Sequence, residues 1–345
     1  MKTIQHTIQQ PSFFLGIDVG KKDLFCHIIS PFEVVSNKFD NSEMGIKALI
    51  AWVKKVAEPQ QLSACLEQTG HYGKAVAKAL HELKVNSLYL VNPRRIKAFG
   101  NQQLRRNKSD TADAKLIAEF IEAKPKRLIS WEPPSADNET VTDLSRYADS
   151  MTRDNARLKT KCEAVTNPSI LRSLKKRIKA QETEIKSIRK QINKVISKNA
   201  NLKMWDELLR SIPGIGEVGS HVVIAELPDI NLFKNARQLA AWAGVTPQHH
   251  ESGTSGRKST PITKVGSVNL RSGLYMPART AKLHNPLLKA FADRLEERGK
   301  TSKQITVAVM RKLLHQIYGI LKSGEPYNPE KRGFLNHPKP LTQKA

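Results

Sequence analysis

Phe14-Leu15-Gly16-Ile17-Asp18-Val19-Gly20 is the stretch that decides the fold. Residues 12–19 are an apolar run of strand length that stops at a glycine turn, the pattern of a buried strand, and Asp18 ends it. Outward from there, Gly20-Lys21-Lys22-Asp23 makes a turn, Leu24 to Ser30 a second strand and Glu33 to Phe39 a third. Ser42 caps a helix whose apolar face runs Met44, Ile46, Leu49, Ile50, Val53 and Val56. Leu62 to Glu67 is strand-like, Tyr72 to Leu83 helical, and Ser87 to Val91 a strand closed by Asn92-Pro93. A helical region broken by a basic loop follows, then a helix capped by Ser109 that runs to about Ala123. Strands joined by short turns pair as a meander, and strands separated by helices pair in parallel. This order predicts an RNase H-like α/β domain over residues 1–135.

Trp131-Glu132-Pro133-Pro134-Ser135 reads as a linker. Beyond it the period becomes heptad-like, and residues 138–203 are expected to form a coiled coil. One stripe is Leu144, Ala148, Met151, Asn155, Leu158, Cys162 and Val165. After an Asn167-Pro168 cap the second runs Leu171, Leu174, Ile178, Gln181, Ile185, Ile188, Ile192, Val195, Asn199 and Leu202. One long helix packed on globular domains is the alternative. Residues 204–325 read as a mostly helical second domain. Within it, Leu209 to Gly216 and then Val218 to Ala225 set a tight glycine turn between two helices. A helix-hairpin-helix-like turn of this kind can hold a phosphate on backbone N–H groups around Gly214 and Gly216, and a plain helical turn is the other reading. A polar loop from Gln248 to Pro261, a basic helix from Leu270 to Thr280 and a helical region to about Leu321 follow. The basic end, residues 326–345, is expected to be disordered.

The 345 residues carry 57 Lys and Arg against 32 Asp and Glu, a net charge of +25. Such a field favours polyanions and speeds encounter with them, so nucleic acid is the expected partner. A mean hydropathy of −0.45 and the absence of an apolar run near the roughly 20 residues of a membrane helix exclude a membrane span. The first residues are too polar, and their apolar stretch too short, for a signal peptide. Cys26, Cys65 and Cys162 lie too far apart for a disulfide framework or a zinc knuckle, which fits a reducing bacterial cytoplasm and a place at the nucleoid.

Four acids occupy places this fold uses. Asp18 ends the first strand, Glu67 ends the fourth, and Asp110 and Asp113 share one face of the last helix. If the first and fourth strands are neighbours and that helix packs across them, the four carboxylates converge. Converging carboxylates repel, so either some become protonated or a divalent cation neutralises them, and hard oxygen ligands select Mg²⁺ or Mn²⁺. Upstream, Arg94, Arg95, Lys97, Arg105, Arg106 and Lys108 occur without an acid among them and suit strand guidance beside such a site.

Together Gly-Ile-Asp-Val-Gly-Lys, the Glu67 segment, Asn92-Pro93 and Lys108 to Asp113 resemble the N-terminal RuvC-like domain of the DEDD insertion-sequence transposases. This is the IS-one-ten family, which includes the Piv-type DNA invertases. Ile212-Pro213-Gly214-Ile215-Gly216, Phe233 to Ala236, Ala243 to Pro247, Ser252-Gly253, Ile262 to Gly266 and Leu270-Arg271 are similar to that family's second domain. The resemblance runs from Phe14 to about Tyr318. It implies a metal-binding set of Asp18, Glu67, Asp110 and Asp113 and a serine nucleophile at Ser252, forming a transient phosphoserine with DNA. It also implies donor and target DNA as substrates and a structured non-coding bridge RNA as partner. Ser255 and Ser259 share the loop with Ser252, and His249 and His250 stand ready in it for proton transfer. Lys264 and Arg271 suit phosphate contacts. Because serine and acids fall in separate domains, sites shared between two copies are expected, with the coiled coil as the means of homo-oligomerisation.

Three other classes compete. A metal-dependent junction resolvase or nuclease would hydrolyse DNA without a covalent step. A sugar-kinase/actin-like ATPase shares the Gly-Ile-Asp-x-Gly strand but needs a second phosphate loop and an adenosine motif, neither of which is found. A non-catalytic nucleic-acid scaffold would tolerate loss of all four acids.

Overall fold

A computed structural model describes residues 13–68, 70, 72–102, 110–123, 128–247 and 261–330. The chain divides into two compact units, Met1–Pro133 and Pro134–Ala345.

The first unit is built on β1 (Phe13–Val19), β2 (Asp23–Ile29), β3 (Val34–Asp40), β4 (Leu62–Glu67) and β5 (Ser87–Val91). The sheet order is β3-β2-β1-β4-β5. The first three strands form the antiparallel meander, and β4 and β5 join β1 in parallel, as the RNase H-like reading requires. Each boundary follows local chemistry. The Ser42 side chain accepts from Gly45 N–H (3.2 Å) to start α1 (Glu43–Val56). Helix α2 (Lys74–Glu82) is shorter than its apolar pattern suggested. Helices α3 (Pro93–Gln102) and α4 (Asp110–Ala123) follow; Ser109 lies outside the described residues.

The sheet separates two apolar layers. Leu15, Ile17, Leu24, Ala64 and Leu66 pack with Leu49 and Val53 of α1 and Val76 and Leu80 of α2. Cys65, Tyr89 and Val91 pack with Ile96 and Phe99 of α3 and Leu116, Ile117, Phe120 and Ile121 of α4. Each wholly buried aliphatic side chain here contributes about 2 kcal/mol. Trp131 belongs to this unit rather than to a linker: its N–H donates to the Leu88 carbonyl (2.6 Å) and its ring meets His81 edge-on.

Among the described residues the second unit is helical apart from one β-bridge. It comprises α5 (Ala136–Ala164), α6 (Pro168–Lys198), α7 (Ala200–Arg210), α8 (Glu217–Glu226), α9 (Ala236–Trp242), α10 (Val268–Gly273), α11 (Tyr275–His284), α12 (Pro286–Glu297) and α13 (Ser302–Ser323). The two heptad stripes meet each other. Helices α5 and α6 form an antiparallel hairpin capped by Ser135 and Asn167, with Ile185, Ile188 and Ile192 buried together with Ala148 and Met151. Lys159–Glu182 (2.8 Å) and Asn199 Nδ2 to Asp137 (2.8 Å) tie the two arms. The seam side chains thus pack on one another within a single chain. Asn199 is no seam residue: it ends α6 and caps α7. The basic helix expected from Leu270 to Thr280 is divided at Leu274 into α10 and α11. Helix α13 is the spine of the unit's core, burying Ile305, Val309, Leu313, Leu314, Ile317 and Ile320.

Candidate active site

Strand alternation decides which way the acids face. Leu15, Ile17 and Val19 enter the layer under α1 and α2, so Gly16 and Asp18 face the α4 side. Ala64 and Leu66 likewise leave Cys65 and Glu67 on the α4 side. Strands β1 and β4 run parallel with Ile17 beside Leu66. The next residues, Asp18 and Glu67, therefore end adjacent strands on one face, at the carboxyl ends where open α/β sheets bind ligands. The backbone of α4 lies directly on Gly16, at Ala114 and Ala118. Asp110 and Asp113 precede the buried Ala114 and Ile117 by one turn, on the stripe that faces the sheet.

The fold thus puts Asp18 and Glu67 on the side of the sheet where α4, with Asp110 and Asp113 in its first turn, packs. It does not draw them into a closed cluster: among the described residues no three His, Cys, Asp or Glu side chains stand close enough to share an ion. The donor set is all carboxylate, half-buried at Asp18, Glu67 and Asp113 and exposed at Asp110, and so fits a hard divalent cation rather than zinc.

The cations beside this face come from α3. Arg94, Arg95 and Lys97 are exposed, and the Arg95 guanidinium lies 5.8 Å from the Phe120 ring centroid. Burial pushes the Cys65 thiol up; Glu67 raises it further, and Arg95 opposes. Glu67 and Arg95 therefore act on the same point of the α4 side, and buried Cys65 is inert. Arg105, Arg106 and Lys108 lie outside the described residues.

In the second unit Gly214, at φ 108°, faces Ala281 of α11 so closely that a Cβ there would overlap its backbone. Helix packing accounts for this glycine. Gly216 has open space around it and caps α8. The segment 248–260, with Ser252, His249 and His250, lies outside the described residues, but its base is well defined. Pro247 and Ile262 form an antiparallel bridge, and Thr263 and Lys264 donate to the Thr246 and Gly244 carbonyls (2.9 and 3.1 Å). Arg271 closes the base, Nη1 donating to the carbonyls of Ala243 (3.0 Å), Gly266 (3.3 Å) and Ser267 (3.3 Å). These bonds make Arg271 Nη1 a clamp within the base. Lys264 is exposed, at φ 53°.

Sequence reading missed Glu226. Its carboxylate receives Arg146 Nε (2.6 Å), Asn269 Nδ2 (3.1 Å) and Ser267 Oγ (3.3 Å), joining α5 and α8 to the start of α10. That bond raises the Arg146 guanidinium above its ordinary value. With Arg146 and Glu226 80 residues apart, no local pattern announces the pair.

An RNase H-like sheet with acids at the carboxyl ends of adjacent parallel strands, in a strongly basic chain, suits phosphoryl-transfer chemistry on nucleic acid. Residues 15–168 match the DEDD_Tnp_IS110 transposase model, and residues 206–293 match the family described as Transposase IS116/IS110/IS902. The pilin gene-inverting protein of Moraxella bovis is 30% identical over 319 residues, covering 91% of this chain and 97% of that protein, and that of Moraxella lacunata matches to the same extent. The transposase for insertion sequence element IS1111A of Coxiella burnetii is 33% identical over 127 residues, 34% of this chain and 33% of that protein. The chain belongs to the IS110 family of transposases and is a DNA recombinase. The structure of T. thermophilus RuvC in complex with a Holliday junction substrate aligns with 34% of this chain and 99% of that chain, at 17% identity and a TM-score of 0.27. The fold assignment rests instead on the strand order.

Proposed function

We propose that the chain breaks and rejoins DNA with Asp18, Glu67, Asp110 and Asp113 as ligands for Mg²⁺ and Ser252 as the nucleophile. The observation that supports this is that Asp18 and Glu67 follow the paired Ile17 and Leu66 on adjacent parallel strands, on the side where α4, which begins with Asp110 and Asp113, packs on Gly16. Bound divalent ions would supply charge neutralisation and polarisation of the scissile phosphate. Ser252 Oγ attacks phosphorus, forming an Oγ–P bond as the P–O bond to one sugar breaks. The departing sugar oxygen gains a proton as the serine loses one. Reversal by a second sugar hydroxyl frees Ser252 and keeps one phosphodiester per cycle. The residues that flank the 248–260 segment are hydrogen-bonded to one another. A structured bridge RNA that pairs with donor and target DNA completes the proposed machinery.

The test is denaturing electrophoresis of the protein after incubation with labelled DNA and Mg²⁺. A covalent adduct that disappears in Ser252→Ala is expected. Nicked ends without any adduct would identify a hydrolytic nuclease or junction resolvase instead.

A further inference from the structure

Away from the acids, helix α13 carries Arg311, Lys312 and His315 on one partly exposed face, and neighbouring helices add to it. Helix α9 contributes Arg237, and α12 contributes Arg294 and Phe291, whose ring centroid is 5.7 Å from Lys312 Nζ. These cations crowd one another. Burial lowers the Lys312 ammonium, and Arg311, Arg294 and Arg237 lower it further. Burial, then Lys312, Arg311 and Arg237, push His315 down to about 4. Elsewhere in the unit the guanidinium groups of Arg146, Arg153, Arg157 and Arg210 each meet a carboxylate. Here Arg311 Nε and His315 Nε2 are buried with no hydrogen-bond partner among the described residues.

A buried guanidinium N–H without a partner and like charges without an ion pair among the described residues both cost stability, and a single ligand relieves both. It must be anionic and offer several acceptor oxygens. It must also be reachable from solvent, because Arg237 and Arg294 are exposed at the rim. A phosphodiester has these properties, and a chain of net charge +25 that acts on DNA meets phosphodiesters constantly.

We propose that Arg237, Arg294, Arg311 and Lys312, gathered around His315, form a seat for a backbone phosphate of nucleic acid. The seat lies in the second unit and is independent of the carboxylate reading. Its chemistry is shared by DNA and RNA, so the test has two arms.

Binding of the full chain to a DNA duplex and to an RNA hairpin is measured across a range of salt concentrations. In R311Q/K312Q the slope of log Kd against log salt falls by about 2 for the polymer that uses the seat, with Kd about tenfold weaker. A change in one arm alone names that polymer, and a change in both means that either backbone is accepted. Exposed R237Q, which cannot disturb the core, lowers the slope by about 1. Inorganic pyrophosphate raises the melting temperature of the parent and not of R311Q/K312Q. Unchanged slopes in both arms, or equal protection of parent and variant by pyrophosphate, would overturn the proposal.

Discussion

Gly16 of β1 and Ala114 of α4 meet backbone to backbone: a Cβ on Gly16 would overlap the Ala114 carbonyl oxygen and the Ala118 amide. That contact lets α4 lie flat on the central strand and brings the turn bearing Asp110 and Asp113 toward the end bearing Asp18. Gly16→Ala is expected to destabilise the first unit by about 2–3 kcal/mol, because the helix must lift. Gly216→Ala, where the added methyl meets open space, should stay within about 0.5 kcal/mol of the parent. Denaturant midpoints of the two variants check this; equal midpoints would remove close approach as the reason for the glycine.

The acids can be tested apart from folding. Asp18→Asn, Glu67→Gln, Asp110→Asn and Asp113→Asn should each slow strand cleavage in Mg²⁺ by about 100-fold, with melting temperatures near the parent value. Single-turnover cleavage and thermal melts give the two readouts. Parent-like cleavage by Asp113→Asn would sink the four-carboxylate site and favour a non-catalytic scaffold.

Acids and serine belong to different compact units. Were each centre assembled from two copies, Asp18→Ala and Ser252→Ala proteins, inactive alone, would recover roughly a quarter of parent activity when mixed, the yield of random pairing. No recovery after co-refolding would show that one copy supplies both.

His315 makes stability depend on pH. Its folded value near 4 lies below the ordinary 6.5, so between these limits the unfolded chain binds the proton more readily. The stability tied to the neutral ring is present in full above pH 6.5 and is lost as pH falls toward 4. Screening at its exposed edge holds the effect to about 1–2 kcal/mol. His315→Gln should flatten the stability profile across that window, as read from melts at stepped pH.

The hairpin seam contains two polar side chains whose oxygens are buried without a partner, Asn155 Oδ1 and Gln181 Oε1. Replacing both with Leu should stabilise the second unit by about 1–3 kcal/mol. A lower denaturant midpoint in the double variant would instead show that the polar layer is satisfied and fixes the hairpin's register.

Much of this was open to a reader of the chain. The apolar run at 12–19, the Ser42 cap and the heptad spacing are local signals that favour strands and helices through local sterics and hydrogen bonding. They sufficed for the order of the first unit and for Asp18, Glu67, Asp110 and Asp113 as candidates. What the heptads pack against is another matter. A stripe of isoleucines is equally satisfied by a second copy or by its own antecedent helix, and only the turn at 165–167 returning α6 onto α5 decided for the hairpin. Arg271 and Gly214 show the same limit: a cation or a glycine in a motif says nothing of whether a carbonyl, a helix or a phosphate meets it. The Glu226 junction and the crowding around His315 join residues far apart in sequence, so they arise from packing alone. Covalent neighbours fix conformation, whereas burial, charge and partners are set by whichever distant segments the folded chain brings alongside.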